Sequence, residues 1–370
     1  MEKLLGKTLS ELQDIALAVG LKRFAGKQLA EWIYVRRATS FDEMTNISLA
    51  GRKALSEQYV IGREKPVAQA ESQDGTKKYL FTYNSPPKVG GVPVGGGSMS
   101  FIECVFIPAD DDRATLCVST QAGCRMGCKF CMTGAQGFHG HLAAADILNQ
   151  IFSVPESAQL TNLVYMGEGE PMDNIGPVLR SLEVMTSDYG CAWSPHRITV
   201  STVGAGEGLD RFLKESECNL AISLHNPFPD ERAEIMPAEK LRPVKQVLNW
   251  VSQQDFRHQR RLSFEYIVWH GRNDSMRHAQ ELRRLVTPFS PQCRVNLIRF
   301  HAAPEGQHPH GPTSPDTLRF PATDEKQMQW LCDYLNDNGI TTTIRRSRGE
   351  DILAACGMLA GNPDLARKLQ

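Results

Sequence analysis

The apolar positions of the chain change their period near residue 98. Before it they follow a helical spacing: Leu12, Ile15, Ala16 and Val19 recur at i, i+3, i+4 and i+7 and stop at Gly20. Thr8 and Glu11 stand at the separation of a capping box, which starts a helix at that point. A second helix is predicted to carry Gln28, Trp32 and Ile33. The strand-like run Tyr-Leu-Phe-Thr-Tyr (79–83) then gives way to Pro86, Pro87 and a glycine-rich stretch over 90–97, read as a turn or linker. These features predict a small helical accessory domain over 1–90.

Beyond residue 98, short β-branched runs alternate with helical stretches. Strands are predicted at 115–119, 162–166, 197–201, 219–223, 262–268 and 293–298, with helices over 142–153, 174–187 and 274–287 between them. The pattern predicts the α/β class: βα units forming a parallel sheet curled into a partial (β/α)6 barrel over 91–344, then a C-terminal segment over 345–370. In such barrels the reactive residues gather at the carboxyl ends of the strands.

Composition adds bounds. A chain of 370 residues that is 41% hydrophobic can bury one large core and a smaller one. No run approaches the roughly 18 apolar residues of a membrane span, and Met-Glu-Lys-Leu-Leu-Gly-Lys lacks the apolar centre of a signal peptide. A cytoplasmic monomer with no membrane partner is therefore expected. The 10 cysteines fit a reducing compartment better than a disulfide framework. A net charge of −1 argues against nucleic-acid binding through bulk charge. Basic residues nevertheless cluster at Arg257, Arg260 and Arg261, at Arg283 and Arg284, and at Arg345, Arg346 and Arg348. The first two clusters read equally well as solvated helix faces, whereas the third, beside the C-terminal tail, reads as RNA-facing.

The chemistry is concentrated in Gly-Cys-Arg-Met-Gly-Cys-Lys-Phe-Cys, where Cys124, Cys128 and Cys131 form a CxxxCxxC triplet in the loop that follows the first barrel strand. Three thiolates suit a [4Fe-4S] cubane that keeps one iron open for a substrate. Zinc is the alternative on spacing alone, with His139 or His141 completing a Cys/His set, although no second CxxC pair is present.

The triplet, with Phe130 before its last cysteine, resembles the radical S-adenosylmethionine (SAM) superfamily. Gly-Glu-Gly-Glu-Pro (167–171) is similar to the motif with which that superfamily holds the SAM amino group. Ile-Thr-Val-Ser (198–201), Ala-Ile-Ser-Leu-His (221–225), Phe-Glu-Tyr-Ile (264–267), Arg-Val-Asn-Leu-Ile (294–298) and Arg-Gly-Glu-Asp-Ile-Leu-Ala-Ala-Cys-Gly (348–357) follow in order. Together they resemble the RlmN/Cfr family of RNA adenine methyltransferases from about residue 5 to residue 361, and the RlmN branch in particular.

The resemblance implies a [4Fe-4S] cluster on Cys124, Cys128 and Cys131, and SAM held by Gly169, Glu170, Ser201, Ser223, Leu224, His225 and Asn296. It also implies two sulfur chemists outside the cluster, Cys117 and Cys356. An electron-poor adenine carbon cannot attack a SAM methyl group directly. In this family a cysteine at the position of Cys356 is methylated first; a radical made from a second SAM then activates that methyl group, which adds to the base, and Cys117 releases the product by forming a transient disulfide. Glu103 matches the proposed proton acceptor. The implied partners are 23S rRNA near the peptidyl transferase centre, tRNA at the adenosine 3′ to the anticodon, and a flavodoxin- or ferredoxin-like electron donor. Read without the resemblance, Cys356 in Ala-Ala-Cys-Gly is a small buried residue, and Glu103 in an apolar strand is an edge residue facing water. Carbon-8 methylation, a glycyl-radical activase and a non-enzymatic metal-dependent RNA-binding module stand as rival functions. Two positions depart from the family pattern: His141 stands where Asn is common, and Glu168 where Met is usual.

Overall fold

A computed structural model describes residues 1–84, 88–89, 92–93, 99–204, 207–254, 260–301 and 321–360. Pro86, Pro87, most of the glycine-rich stretch, Arg257 and the chain after residue 360 lie outside the described residues.

The sheet that organises the molecule has ten strands. In chain order they are β1 (Ala68–Glu71), β2 (Lys77–Asn84), β3 (Met99–Pro108), β4 (Ala114–Cys117), β5 (Asn162–Tyr165), β6 (Ile198–Thr202), β7 (Asn219–Ser223), β8 (Leu262–Val268), β9 (Cys293–Arg299) and β10 (Thr342–Arg345). Strands β1 to β4 pair antiparallel, and every neighbouring pair from β4 to β10 is parallel. The six predicted strands are present, and β10 adds a further parallel strand beyond them. The central strands β7 and β8 are buried almost throughout, as a sheet covered by helices requires.

Helices cross between the parallel strands. They include Ala144–Ser153, Ile175–Thr186 and Met276–Val286, each within two residues of its prediction, and Pro229–Ile235, which follows β7. The N-terminal region is built on α1 (Leu9–Ala18), where Thr8 and Glu11 close the capping box in both directions, with the Thr8 N–H donating to the Glu11 carboxylate at 2.8 Å. The helix Ala25–Ala30 carries Gln28, and a wider π-helical turn over Glu31–Val35 carries Trp32 and Ile33. Leu4, Leu12, Leu29 and Ile33 share one continuous apolar core with the barrel, so the helical region is cemented to the barrel rather than tethered to it. The division expected at residue 90 falls outside the described residues, and on its near side β1 and β2 are already strands of the barrel sheet.

Candidate active site

After Cys117 at the end of β4, Gln121–Gly123 pairs antiparallel with Phe138–His141, so a two-stranded stem closes the loop that carries the three cysteines. Gly123 has φ of 69°, and a Cβ there would lie 2.0 Å from the Gly137 carbonyl oxygen; only glycine lets the stem close. Cys124 and Cys128 are buried, Cys131 is half-buried, and all three line one cavity at the carboxyl ends of the strands. Burial pushes all three thiols up, Cys128 to about 12, and Cys131 raises its two partners further.

Crowded, desolvated thiols are poor thiolates until a cation sits among them, which is the chemistry of an iron–sulfur donor set. Among the described residues no three His, Cys, Asp or Glu side chains converge on a single ion. A cubane does not ask for such convergence, because each thiolate binds its own iron. His141, a candidate zinc ligand by sequence, contacts Gln121 at 3.1 Å and Arg125 at 3.0 Å instead.

Gly169, Glu170, Ser201, Ser223 and His225 line the same cavity. Gly169 has φ of 97°, and a Cβ on it would come within 2.5 Å of Gln121, so this glycine lets the cluster-loop stem pack against the strand end. The Glu170 carboxylate accepts from Thr202 Oγ1 (2.6 Å), the Val203 N–H (2.9 Å) and the Met172 N–H (3.0 Å). Burial outweighs these donors and raises it to about 7. A carboxylate has roughly four acceptor sites, so one remains for a cationic ligand group. Ser201 and Ser223 place their hydroxyls 3.4 Å apart on neighbouring strands. His225 adopts φ of 54°, unusual for a residue with a side chain. Its Nδ1 accepts from the Ile267 N–H at 3.1 Å, and burial beside Arg232 lowers it to about 3, leaving a neutral ring.

Toward β4 and β10 the cavity holds sulfur. Cys117, Cys356, Met166 and Arg345 line it together, so residues distant in sequence meet at one place. The C-terminal segment reaches there as a strap. Asp351 accepts from Ser72 (2.5 Å) and the Gln73 N–H (3.2 Å), the Met132 N–H donates to the Gly357 carbonyl (2.8 Å), and Thr133 donates to the Leu359 carbonyl (2.6 Å). Cys356 itself is exposed, unlike the small core residue its local sequence suggested. Arg345 does not face outward as its cluster suggested; it bonds Glu265 at 3.3 Å, whereas Arg346 and Arg348 pair with Asp110.

Three expected residues are not on the cavity wall. Asn296 stands behind it and donates to Glu265 at 2.8 Å. Leu224 is buried, and its carbonyl accepts from Arg232 at 2.9 Å. Glu103 is 0% exposed rather than facing water; it pairs with Lys78 at 3.2 Å and accepts from the Ala360 N–H at 3.0 Å, so it anchors the strap. Glu168, the departure from Met, accepts from the Glu103 N–H (2.8 Å) and the Gly123 N–H (3.3 Å), and burial beside Glu103 raises its carboxyl.

Sequence reasoning missed Arg232 and Arg345 as site residues, and passed over Glu265 inside a motif it had quoted. Arg232 in the helix Pro229–Ile235 is fully buried, bonds the Val203, Ser223 and Leu224 carbonyls and pairs with Glu239, and so ties the ends of β6 and β7 together. Only the acidic residue in the apolar run of β8 carried a signal in the sequence.

Residues 2–61 match the ribosomal RNA large subunit methyltransferase N-terminal domain, and residues 118–282 match the radical SAM superfamily. The chain is 55% identical to a probable dual-specificity RNA methyltransferase RlmN of Porphyromonas gingivalis, covering 96% of each chain. It is 35% identical to the dual-specificity RNA methyltransferase RlmN of Halorhodospira halophila, over 97% of this chain and 93% of that one. The crystal structure of a radical SAM methyltransferase from Sphaerobacter thermophilus superimposes with a TM-score of 0.82 at 32% identity, covering 98% of this chain and all of that one.

Proposed function

Because this chain belongs to the RlmN family of radical SAM RNA methyltransferases, we propose that it methylates carbon 2 of adenosine in 23S rRNA and in tRNA, with Cys356 as the methyl carrier and Cys117 as the thiol that releases the product. The observation that carries the residue assignment is the meeting of Cys117 and Cys356 in the cavity that Cys124, Cys128 and Cys131 line.

When bound, the cluster and SAM supply the methyl group and the one-electron chemistry. Cys124, Cys128 and Cys131 would hold the cluster. Glu170 offers its remaining acceptor site to the SAM ammonium, an arrangement that supports charge-assisted bonding in a buried site. Ser201 and Ser223 offer hydroxyls to the ribose, and the neutral His225 ring edges the cavity beside Phe130, ring centroids 5.1 Å apart. Asn296 acts one layer back by holding Glu265. The strap presents Cys356 for methylation and carries the methyl group to the base. Glu103 would accept the proton of the substituted carbon only after Ala360 and Lys78 release it.

The adenine must leave its stack to reach this cavity. A flavodoxin- or ferredoxin-like donor completes the reading, with a cytoplasmic monomer as the working form. No described helix is long and apolar enough to cross a membrane.

The test is nucleoside mass spectrometry of 23S rRNA and tRNA incubated with anaerobically reconstituted protein, SAM and reductant. We expect 2-methyladenosine, lost in Cys356→Ala while SAM cleavage continues. Formation of 8-methyladenosine would reassign the regiochemistry, and full activity in Cys356→Ala would overturn the carrier role.

A further inference from the structure

Release of the product asks much of Cys117. The step joins its sulfur to the sulfur of Cys356 while the bond from Cys356 to the new carbon of the base breaks. The electron pair of that bond leaves with the carbon, which then takes up a proton, so one thiolate and one thioether become one disulfide and one methyl group. A neutral thiol cannot do this efficiently. Cys117 is 9% exposed, and burial pushes it up to about 12. The protein must therefore supply positive potential at that sulfur.

Two features are aimed at it. The backbone N–H of Met166 favours the Cys117 thiolate. Arg345 lies alongside, with Nη1 3.7 Å from Met166 Sδ, and its charge acts on Cys117 and Cys356 alike. Among the described residues, the other ionisable groups whose charge bears on Cys117 are Cys356 and, on β3, the buried Cys104. Glu265 holds the guanidinium at 3.3 Å and is itself fixed by Ser263 and Asn296 at 2.9 Å and 2.8 Å. A third of the Arg345 side chain is accessible, and the residue lines the cavity rather than the outer surface.

We propose that Arg345 is the positioning residue of the sulfur chemistry, its guanidinium holding Cys117 as the attacking thiolate while Glu265 fixes the guanidinium in place. This rests on the reading of Cys117 as the releasing thiol. Arginine suits the role because it stays charged when partly desolvated and its planar fork is held by one carboxylate while its charge serves a neighbour. A thiolate beside a fixed cation is the usual device for activating cysteine.

The experiment measures alkylation of Cys117 against pH in the anaerobically reconstituted full-length protein, quantified by peptide mass spectrometry, for the parent and for Arg345→Gln, Arg345→Lys and Glu265→Gln. Arg345→Gln should move the midpoint of Cys117 reactivity upward by about one pH unit or more, and Arg345→Lys by less. In Glu265→Gln the amide oxygen can still accept from the guanidinium while the neutralising charge is gone, so the midpoint should move downward. RNA left covalently attached to Cys356 should persist at least tenfold longer in Arg345→Gln. Shifts of Arg345→Gln and Glu265→Gln in the same direction, or no shift in the former, would overturn the proposal, since a merely structural pair is damaged equally from either side. Methylation undiminished in Cys117→Ala would instead sink the releasing-thiol reading.

Discussion

Replacement of Glu170 by glutamine should leave the ligand-free protein at least as stable as the parent at neutral pH while abolishing SAM binding. Glu170 is 3% exposed, and its carboxyl titrates near 7 in the fold against an ordinary value of 4.5. The folded state therefore binds this proton more tightly than the unfolded chain. The group's contribution is fully present below pH 4.5 and is lost as the pH rises to about 7. At about 1.36 kcal/mol per unit, the loss amounts to roughly 3 kcal/mol.

Glutamine carries no such term, but its amide nitrogen cannot accept from the Val203 N–H, and that lost bond costs about 1–3 kcal/mol at every pH. The two effects have opposite signs and only one depends on pH. The variant should thus be less stable than the parent near pH 5, overtake or match it between about pH 5 and 7, and hold a constant offset above that. Urea unfolding of both proteins from pH 5 to 8.5, plotted as the difference in free energy, isolates Glu170 from the other titrating groups. SAM binding measured by calorimetry should fail in the variant throughout. A difference curve that is flat with pH would refute the reasoning, as would one that falls toward alkaline pH.

Lys78→Met removes the cation facing the fully buried Glu103 and should cost about 3–5 kcal/mol in urea unfolding, with much of that recovered in Lys78→Met/Glu103→Leu. Recovery would fail if the pair acted as independent surface charges. Gly123→Ala drives a methyl group into the Gly137 carbonyl and should abolish cluster assembly, read as iron content and visible absorbance, while the far-ultraviolet dichroism of the barrel persists. Normal iron loading in this variant would show that the stem is not what shapes the cysteine loop.

Much of this architecture could be read from the chain because it is written locally. The capping box at Thr8 and the period of Leu12 and Ala16 depend on neighbours three and four residues away, and the β-branched runs of β5 to β9 carry their own burial. The cavity residues Cys117, Glu170, Ser201, Ser223 and His225 sat at the ends of those runs. What stayed hidden depends on direction or on distant partners. Arg345 and Arg346 are adjacent on an extended segment, so one faces the cavity and the other Asp110, and a basic cluster in one dimension splits between opposite faces. The burial of Glu103 follows from Lys78 on the adjacent strand and from a strap hundreds of residues later, neither of which marks the glutamate itself. Arg232 lies in a charged helical stretch that reads as solvated; its burial is set by carbonyls at the ends of other strands.

The strap also imposes an order on biosynthesis. Ribosomes make this chain from its amino end, so the cysteine loop, the Glu170 turn and the helical region bonded into the barrel core all emerge before residue 349. Cys356 is made after every cavity residue outside the strap, and the strap's seat is divided between the β1–β2 turn and the cysteine loop, two places finished long before it. A chain interrupted before the strap would keep the cysteine loop and the strand-end cavity wall yet lack Cys356. The cavity is therefore complete only once the strap has been made and seated on both of these places.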